Sequence, residues 1–165
     1  MNTLVVYKSK TGFTQTYAEA IAARLNTTAK PVQSVTADEL AKADQVVYGG
    51  WMLAGKISGL AGILPKVKGR LVVFAVGATP AAKADVAAIR KASGIGDASL
   101  TYLEGGFRFE RLNGFMKLMM RTFAKMAAKG NDANPEGMNI SELIGANFDH
   151  TDVTTIEPVV AAAQA

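Results

Sequence analysis

Immediately after the first apolar run of the chain, Ser9-Lys10-Thr11-Gly12-Phe13-Thr14 sets three hydroxyls, a glycine and several free amides at the start of a segment with helical period. Amides of a first helical turn point outward, the helix dipole favours an anion there, and hydroxyls can donate to the remaining oxygens. With Lys10 as its one charge, the loop suits a phosphomonoester held by hydrogen bonds. Other phosphate motifs are missing: no Gly-x-x-x-x-Gly-Lys-[Ser/Thr] for a nucleoside triphosphate and no Gly-x-Gly-x-x-Gly after the first strand for a dinucleotide. A phospho-acceptor receiver would need an aspartate at the end of the third strand, where this chain has Tyr48-Gly49-Gly50. Zero cysteines exclude disulfides, thiolate metal sites and a cysteine nucleophile, and the lone histidine, His150, leaves no polyhistidine zinc set. No metal site is expected.

The elements that must position this loop follow from hydropathy. Leu4–Tyr7, Val46–Tyr48 and Leu71–Val76 are apolar and β-branched without polar alternation, as in strands buried on both faces of a parallel sheet. Pro31–Val35 and Ser99–Glu104 complete a set of five strands. Helical periods occupy Thr14–Leu25, Ile57–Leu64 and Ala81–Ala92; a helical turn capped by Thr36 or Asp38 follows the second strand, and Thr151–Ala163 closes the chain with Pro158 near its first turn. Strand and helix alternate, so the class is α/β with right-handed crossovers, and ligands belong outside the carboxyl ends of the strands. At 165 residues a single domain over 1–165 is expected, and Gly130–Gly137 reads as a loop.

Here the residues acquire a family. Val5-Val6-Tyr7-Lys8-Ser9-Lys10-Thr11-Gly12-Phe13-Thr14 resembles the flavodoxin signature, a strand followed by [Ser/Thr]-x-Thr-Gly-x-Thr, whose loop holds the 5′-phosphate of FMN. The resemblance implies a doubly wound five-stranded parallel sheet of order 2-1-3-4-5 with FMN as cofactor. It assigns Ser9, Thr11, Gly12 and Thr14, with the amides of Lys10 and Phe13, to the phosphate. It also implies one wall of the flavin ring at Gly50, Trp51, Met52 and Leu53, where the chain's only tryptophan stands between glycines. Gly77, Ala78 and Thr79 would lie on the other side. Many flavodoxins stack a tyrosine there and this chain has none, which leaves that face of the ring open to substrate.

Charge departs from the small acidic carriers of that family. The net charge is +4, and residues 107–130 hold six cations against one acid while the rest holds twelve against thirteen. One basic segment on a nearly neutral body points to a localised anionic partner and away from a nucleic-acid coat. That segment, Gly105-Gly106-Phe107-Arg108-Phe109-Glu110-Arg111 and a Met-rich helix over Leu112–Lys129, is similar to the insertion of menaquinone-dependent protoporphyrinogen oxidases and their flavodoxin-domain relatives. An amphipathic helical insertion over about 107–137 is therefore expected after the fifth strand. The resemblance implies an FMN-dependent oxidoreductase with a quinone acceptor, Arg108 and Arg111 holding substrate carboxylates; the other reading is an electron-transfer flavodoxin working through protein partners. On the helix itself, Leu112, Phe115, Met116, Met119, Met120, Phe123, Met126 and Ala127 share one arc, with Lys117, Arg121, Lys125 and Lys129 opposite. That apolar arc suits the core, a dimer mate, or anionic lipid reached through residues 112–129. The chain starts on a strand without a secretory pattern, so a cytoplasmic protein is expected, peripheral at the inner membrane face in the case where the arc of residues 112–129 meets lipid. No side chain presents itself as acid or base: the catalytic group is unknown, and His150 reads as a loop or cap residue remote in sequence from the identified turns.

Overall fold

The computed structural model describes residues 1–127 and 143–165. Its centre is a parallel sheet of β1 (Thr3–Lys8), β2 (Ala29–Pro31), β3 (Gln45–Leu53), β5 (Arg70–Gly77) and β6 (Ser99–Glu104), in the spatial order β2-β1-β3-β5-β6. With a two-residue strand β4 (Lys56–Ile57) numbered between the third and fourth long strands, this is the expected doubly wound arrangement. The pairing is unbroken: Val5 faces Val47 across β1 and β3, and Val47 faces Val72 across β3 and β5.

The lack of polar alternation in these strands reflects burial on both sides. Val5, Val47, Val72, Phe74 and Val76 point to one face, against α1 (Phe13–Arg24) and the closing helix α6 (Glu157–Gln164). Val6, Val46, Tyr48, Val73 and Ala75 point to the other, against α2 (Ala37–Lys42), α3 (Leu60–Ile63) and α4 (Val86–Ser93). Successive residues of a strand alternate in direction, so two apolar layers demand a continuous apolar run. Gln45, fully buried at the opposite end of β3 from the site, donates through its amide to the carbonyl of Ala163 at 2.9 Å and ties α6 to the sheet.

Several boundaries differ from those expected. The second strand is Ala29–Pro31, and Val32–Ser34 turns into a 3-10 helix, because Pro31 has no amide to extend the ladder. Thr36 does cap α2, in a capping box with Glu39. The helix expected over Ile57–Leu64 is four residues long, Leu60–Ile63: Ile57 is drawn into β4, and Pro65 converts the following turn to 3-10. The helix expected over Ala81–Ala92 begins at Val86, because the Asp85 carboxylate accepts from the amide of Ala88 at 2.9 Å and sets the start there. The closing helix begins at Glu157 after a 3-10 turn at Val153–Ile156. Beyond β6, β7 (Gly106–Arg108) pairs antiparallel with β8 (Asn147–Asp149), a ribbon with no counterpart in the sequence pattern. The basic helix is α5 (Gly114–Ala127), started by the Asn113 carboxamide oxygen accepting from Met116 N–H at 2.9 Å. The expected loop at Gly130–Gly137 and Lys129 lie outside the described residues.

Candidate functional site

Strands β1, β3 and β5 end side by side, and the three loops leaving them wall one cavity of about 220 Å3. The first loop enters α1 through Gly12, whose φ of 100° places it in the left-handed region. Its amide donates to Ser9 Oγ at 3.1 Å and its carbonyl accepts from Thr16 Oγ1 at 3.0 Å, so the hydroxyls shape the turn. No side chain caps α1 and no acid lies in its first turn. The helix start thus keeps its outward amides and positive dipole end for an anion. Ser9, Lys10, Thr11, Phe13 and Thr14 line the cavity, while Gly12 sits behind it as the hinge of the turn.

The second loop is a hairpin. β3 continues through Trp51 to Leu53, turns at Ala54 and Gly55 with φ of 49° and 78°, and returns as β4, with Met52 facing Ile57 and Leu53 facing Lys56. Two successive left-handed residues match the twist of flanking strands, which is why a sequence that reads as a glycine-rich loop forms strand here. Trp51, Met52 and Leu53 line the cavity; Gly50 does not, and a Cβ there would meet the carbonyl oxygen of Ser58 at 2.6 Å. The Lys10 ammonium lies over the Trp51 ring, 5.7 Å from its centroid, joining the first two loops.

In the third loop Gly77 and Ala78 line the cavity, whereas Thr79 is 2% exposed, outside the lining, and its carbonyl accepts from the Tyr102 hydroxyl at 2.8 Å. The Glu104 carboxylate accepts from the amide of Ala81 at 2.6 Å and braces the same turn.

A further wall of the cavity comes from α5 and from Leu112 just ahead of it. Leu112, Met116, Met119, Met120 and Phe123 line the cavity together with Leu143, a residue no sequence signal singled out. Methionine suits such a wall because its unbranched, polarizable side chain adapts to a flat ring. The apolar arc of α5 is wider than the cavity needs: Phe115 is 71% exposed and Met126 is exposed, and Leu118, on the cationic side of the helix, stands exposed beside Arg121 and Lys125.

The two arginines part company. Arg108 lines the cavity, donating from Nη1 to the carbonyl of Thr11 at 3.1 Å, with its guanidinium 4.7 Å from the Phe13 ring centroid and Nη2 3.7 Å from Asp149. Hydrogen bonding from Thr151, and then the charge of Arg108, hold the Asp149 carboxyl below its usual range. Arg111 is exposed in a 3-10 turn outside the lining. His150, distant in sequence from the turns, is carried back to them by the β7–β8 ribbon. Its amide donates to Gly105 O at 2.9 Å and its Nδ1 stands 4.0 Å from Glu104, at the edge of the site and outside the cavity.

A family model described as a flavodoxin domain matches residues 4–134. Among solved structures, an archaeal flavodoxin is 16% identical over 88% of this chain and 100% of its own, with a TM-score of 0.46. The oxidised flavodoxin 1 of Bacillus cereus is 13% identical over 63% and 84%, with a TM-score of 0.43. A flavodoxin, WrbA-like protein from Agrobacterium tumefaciens is 24% identical over 48% of this chain, spans 61% of its own length, and has a TM-score of 0.41. No curated protein matches the chain significantly.

Proposed function

Because the chain belongs to the flavodoxin-domain family, whose cofactor is FMN, we propose that it is an FMN-dependent oxidoreductase that works on a flat apolar substrate or acceptor under the α5 roof. The observation that carries this reading is the pairing of two unlike environments in one cavity. Its lining joins an uncapped helix start with hydroxyls to an apolar wall made by the Trp51 hairpin and the methionines of α5. The residues fit FMN: Ser9, Thr11 and Thr14 with the amides of the loop would hold its phosphate, and Trp51, Met52, Gly77 and Ala78 would flank its ring. When bound, FMN supplies hydride or paired electron and proton uptake at its N5. The chain's own contribution is to orient the ring and to exclude water from it with Met116, Met120 and Phe123. No carboxylate or histidine is among the described residues lining the cavity, so the side chains there position and shield.

The resemblance of residues 103–130 to protoporphyrinogen oxidases supports a tetrapyrrole-like substrate and a quinone acceptor, whose ring is flat and apolar enough for the cavity. The exposed outer face of α5 supports contact with an anionic membrane, where quinones reside. Phe115, Leu118 and Met126 would enter the headgroup boundary and Arg121 and Lys125 would meet lipid phosphates. Among the described residues no helix is long and apolar enough to cross a membrane, so the contact would be peripheral. A second chain copy on this face is the competing occupant.

An ultraviolet–visible titration of the purified protein with FMN tests the cofactor first. Anaerobic turnover of protoporphyrinogen with a quinone, set against reduction through a ferredoxin reductase, then separates an oxidase from an electron carrier. Activity only in the second assay would overturn the enzymatic reading.

A further inference from the structure

We propose that Arg108 is the cationic contact of the cofactor phosphate, and that through it phosphate binding fixes the roof of the cavity. The inference rests on the flavin reading above and adds a residue to it from outside the signature loop. The loop itself brings hydroxyls, amides and one cation, Lys10, whose ammonium lies over the Trp51 ring. Arg108 arrives from β7, 97 positions along the chain from Thr11, and is held on three sides. Thr11 O accepts from Nη1 at 3.1 Å, the Phe13 ring lies under the guanidinium at 4.7 Å, and Asp149 stands 3.7 Å from Nη2. Thr11 and Phe13 are both residues of the phosphate loop, so the charge sits against the loop backbone and is only 30% exposed.

A guanidinium carries five donors in a planar fork matched to phosphate oxygens, and these contacts engage two of its nitrogens. Asp149 balances part of the charge from the far side, but its own side chain is 51% exposed and its carboxylate is engaged by the amide of Thr151 at 2.8 Å. A phosphate at the α1 start therefore meets a half-buried guanidinium, a setting in which charge-assisted contacts are strongest. Arg108 also belongs to the ribbon strand that leads, through the 3-10 turn at Phe109–Arg111, into α5. Holding it against the phosphate holds β7 and the start of the roof, with Leu112 four residues and Met116 eight residues further along.

Riboflavin, which has the ring of FMN without the phosphate, separates this role from a structural one. With the full apoprotein, R108Q should weaken FMN about tenfold or more, while riboflavin affinity stays within about twofold, and R108K should keep most of the preference for FMN. In hydrogen exchange of the wild type at saturation, FMN should protect the amides of α5 more than riboflavin does. Equal losses for both flavins in R108Q, or an unchanged FMN affinity, would overturn the proposal. If R108Q does not fold, the wild type still decides: FMN affinity should fall with salt while riboflavin affinity does not, and equal salt responses would overturn it. A wild type that binds neither flavin refutes the cofactor itself and takes this inference with it.

Discussion

Gly12 offers a clean test of how the Ser9–Thr14 loop is built, because the same added methyl has a different cost at each of three glycines. At Gly12 a Cβ would meet nothing within 4 Å, so Gly12→Ala adds no steric clash; its whole effect is to hold an L-residue at φ 100°. Left-handed backbone of this kind costs roughly 1–2 kcal/mol for a non-glycine residue. For a chain of this size each kcal/mol moves the melting temperature by about 2–4 °C, so the variant should melt roughly 2–8 °C lower. Gly62, in α3, also has open space but no positive φ, and Gly62→Ala should be neutral or up to about 1 kcal/mol more stable. At Gly49 the Cβ would fall within the ring of Phe74, which is fully buried and cannot move aside. Gly49→Ala should lose the most, about 3 kcal/mol or more, through forced repacking of the sheet face. Thermal and denaturant unfolding of the three apoproteins, read in the same buffer, gives the order directly. A Gly12→Ala protein that melts with the wild type would mean that the loop relaxes out of its left-handed turn at no cost, and the account of Gly12 as the hinge of that loop would fall.

Trp51 lines the cavity beneath the Lys10 ammonium, so its fluorescence should fall as FMN is titrated in; no change at saturation would place the ring elsewhere. Replacing Lys117, Arg121 and Lys125 with glutamine should reduce binding to anionic vesicles, each basic residue near the surface contributing about 1 kcal/mol, and leave FMN affinity unchanged. A wild type that ignores such vesicles at low salt and instead sediments as a dimer would assign the outer face of α5 to a second copy. Glu39, with its pKa lowered to about 2 chiefly by the Thr36 amide and then by Lys30, gives a pH signature. Its folded pKa lies below the unfolded value of 4.5, so its stabilisation is fully present above that value and fades as pH falls toward about 2. The stability gap between wild type and Glu39→Gln should therefore narrow progressively on acidification below the unfolded pKa, and a gap independent of pH would refute the capping-box account.

The main parallel strands and the Ser9–Thr14 loop were legible in the sequence because their signals are local, whereas the strand order was implied only by the family resemblance that the loop carries. Runs such as Leu71–Val76 declare burial on both faces by composition alone, and Ser9–Thr14 combines residue types that serve one purpose at a helix start. Caps decided what periodicity could not. Asp85 starts α4 four residues after the helical period begins, and Pro31 and Pro65 turn the chain into 3-10 helix where the pattern alone reads as strand or helix. The hairpin at Ala54-Gly55 was hidden because positive φ at Ala54 is imposed by the pairing of Met52 with Ile57, a requirement that composition does not carry.

What only tertiary structure decided is the far side of the cavity. An amphipathic arc states that α5 has an apolar face, and it is silent on what that face covers, since core, lipid and a cofactor pocket all reward the same side chains. Packing divides the arc, sending Met116, Met120 and Phe123 into the cavity lining and leaving Phe115 and Met126 outside it. Arg108 meets Thr11, and His150 meets the end of β6, only because β7 pairs with β8 across 38 intervening residues. Contacts made through such long loops leave no period in the sequence; they exist once the chain has closed.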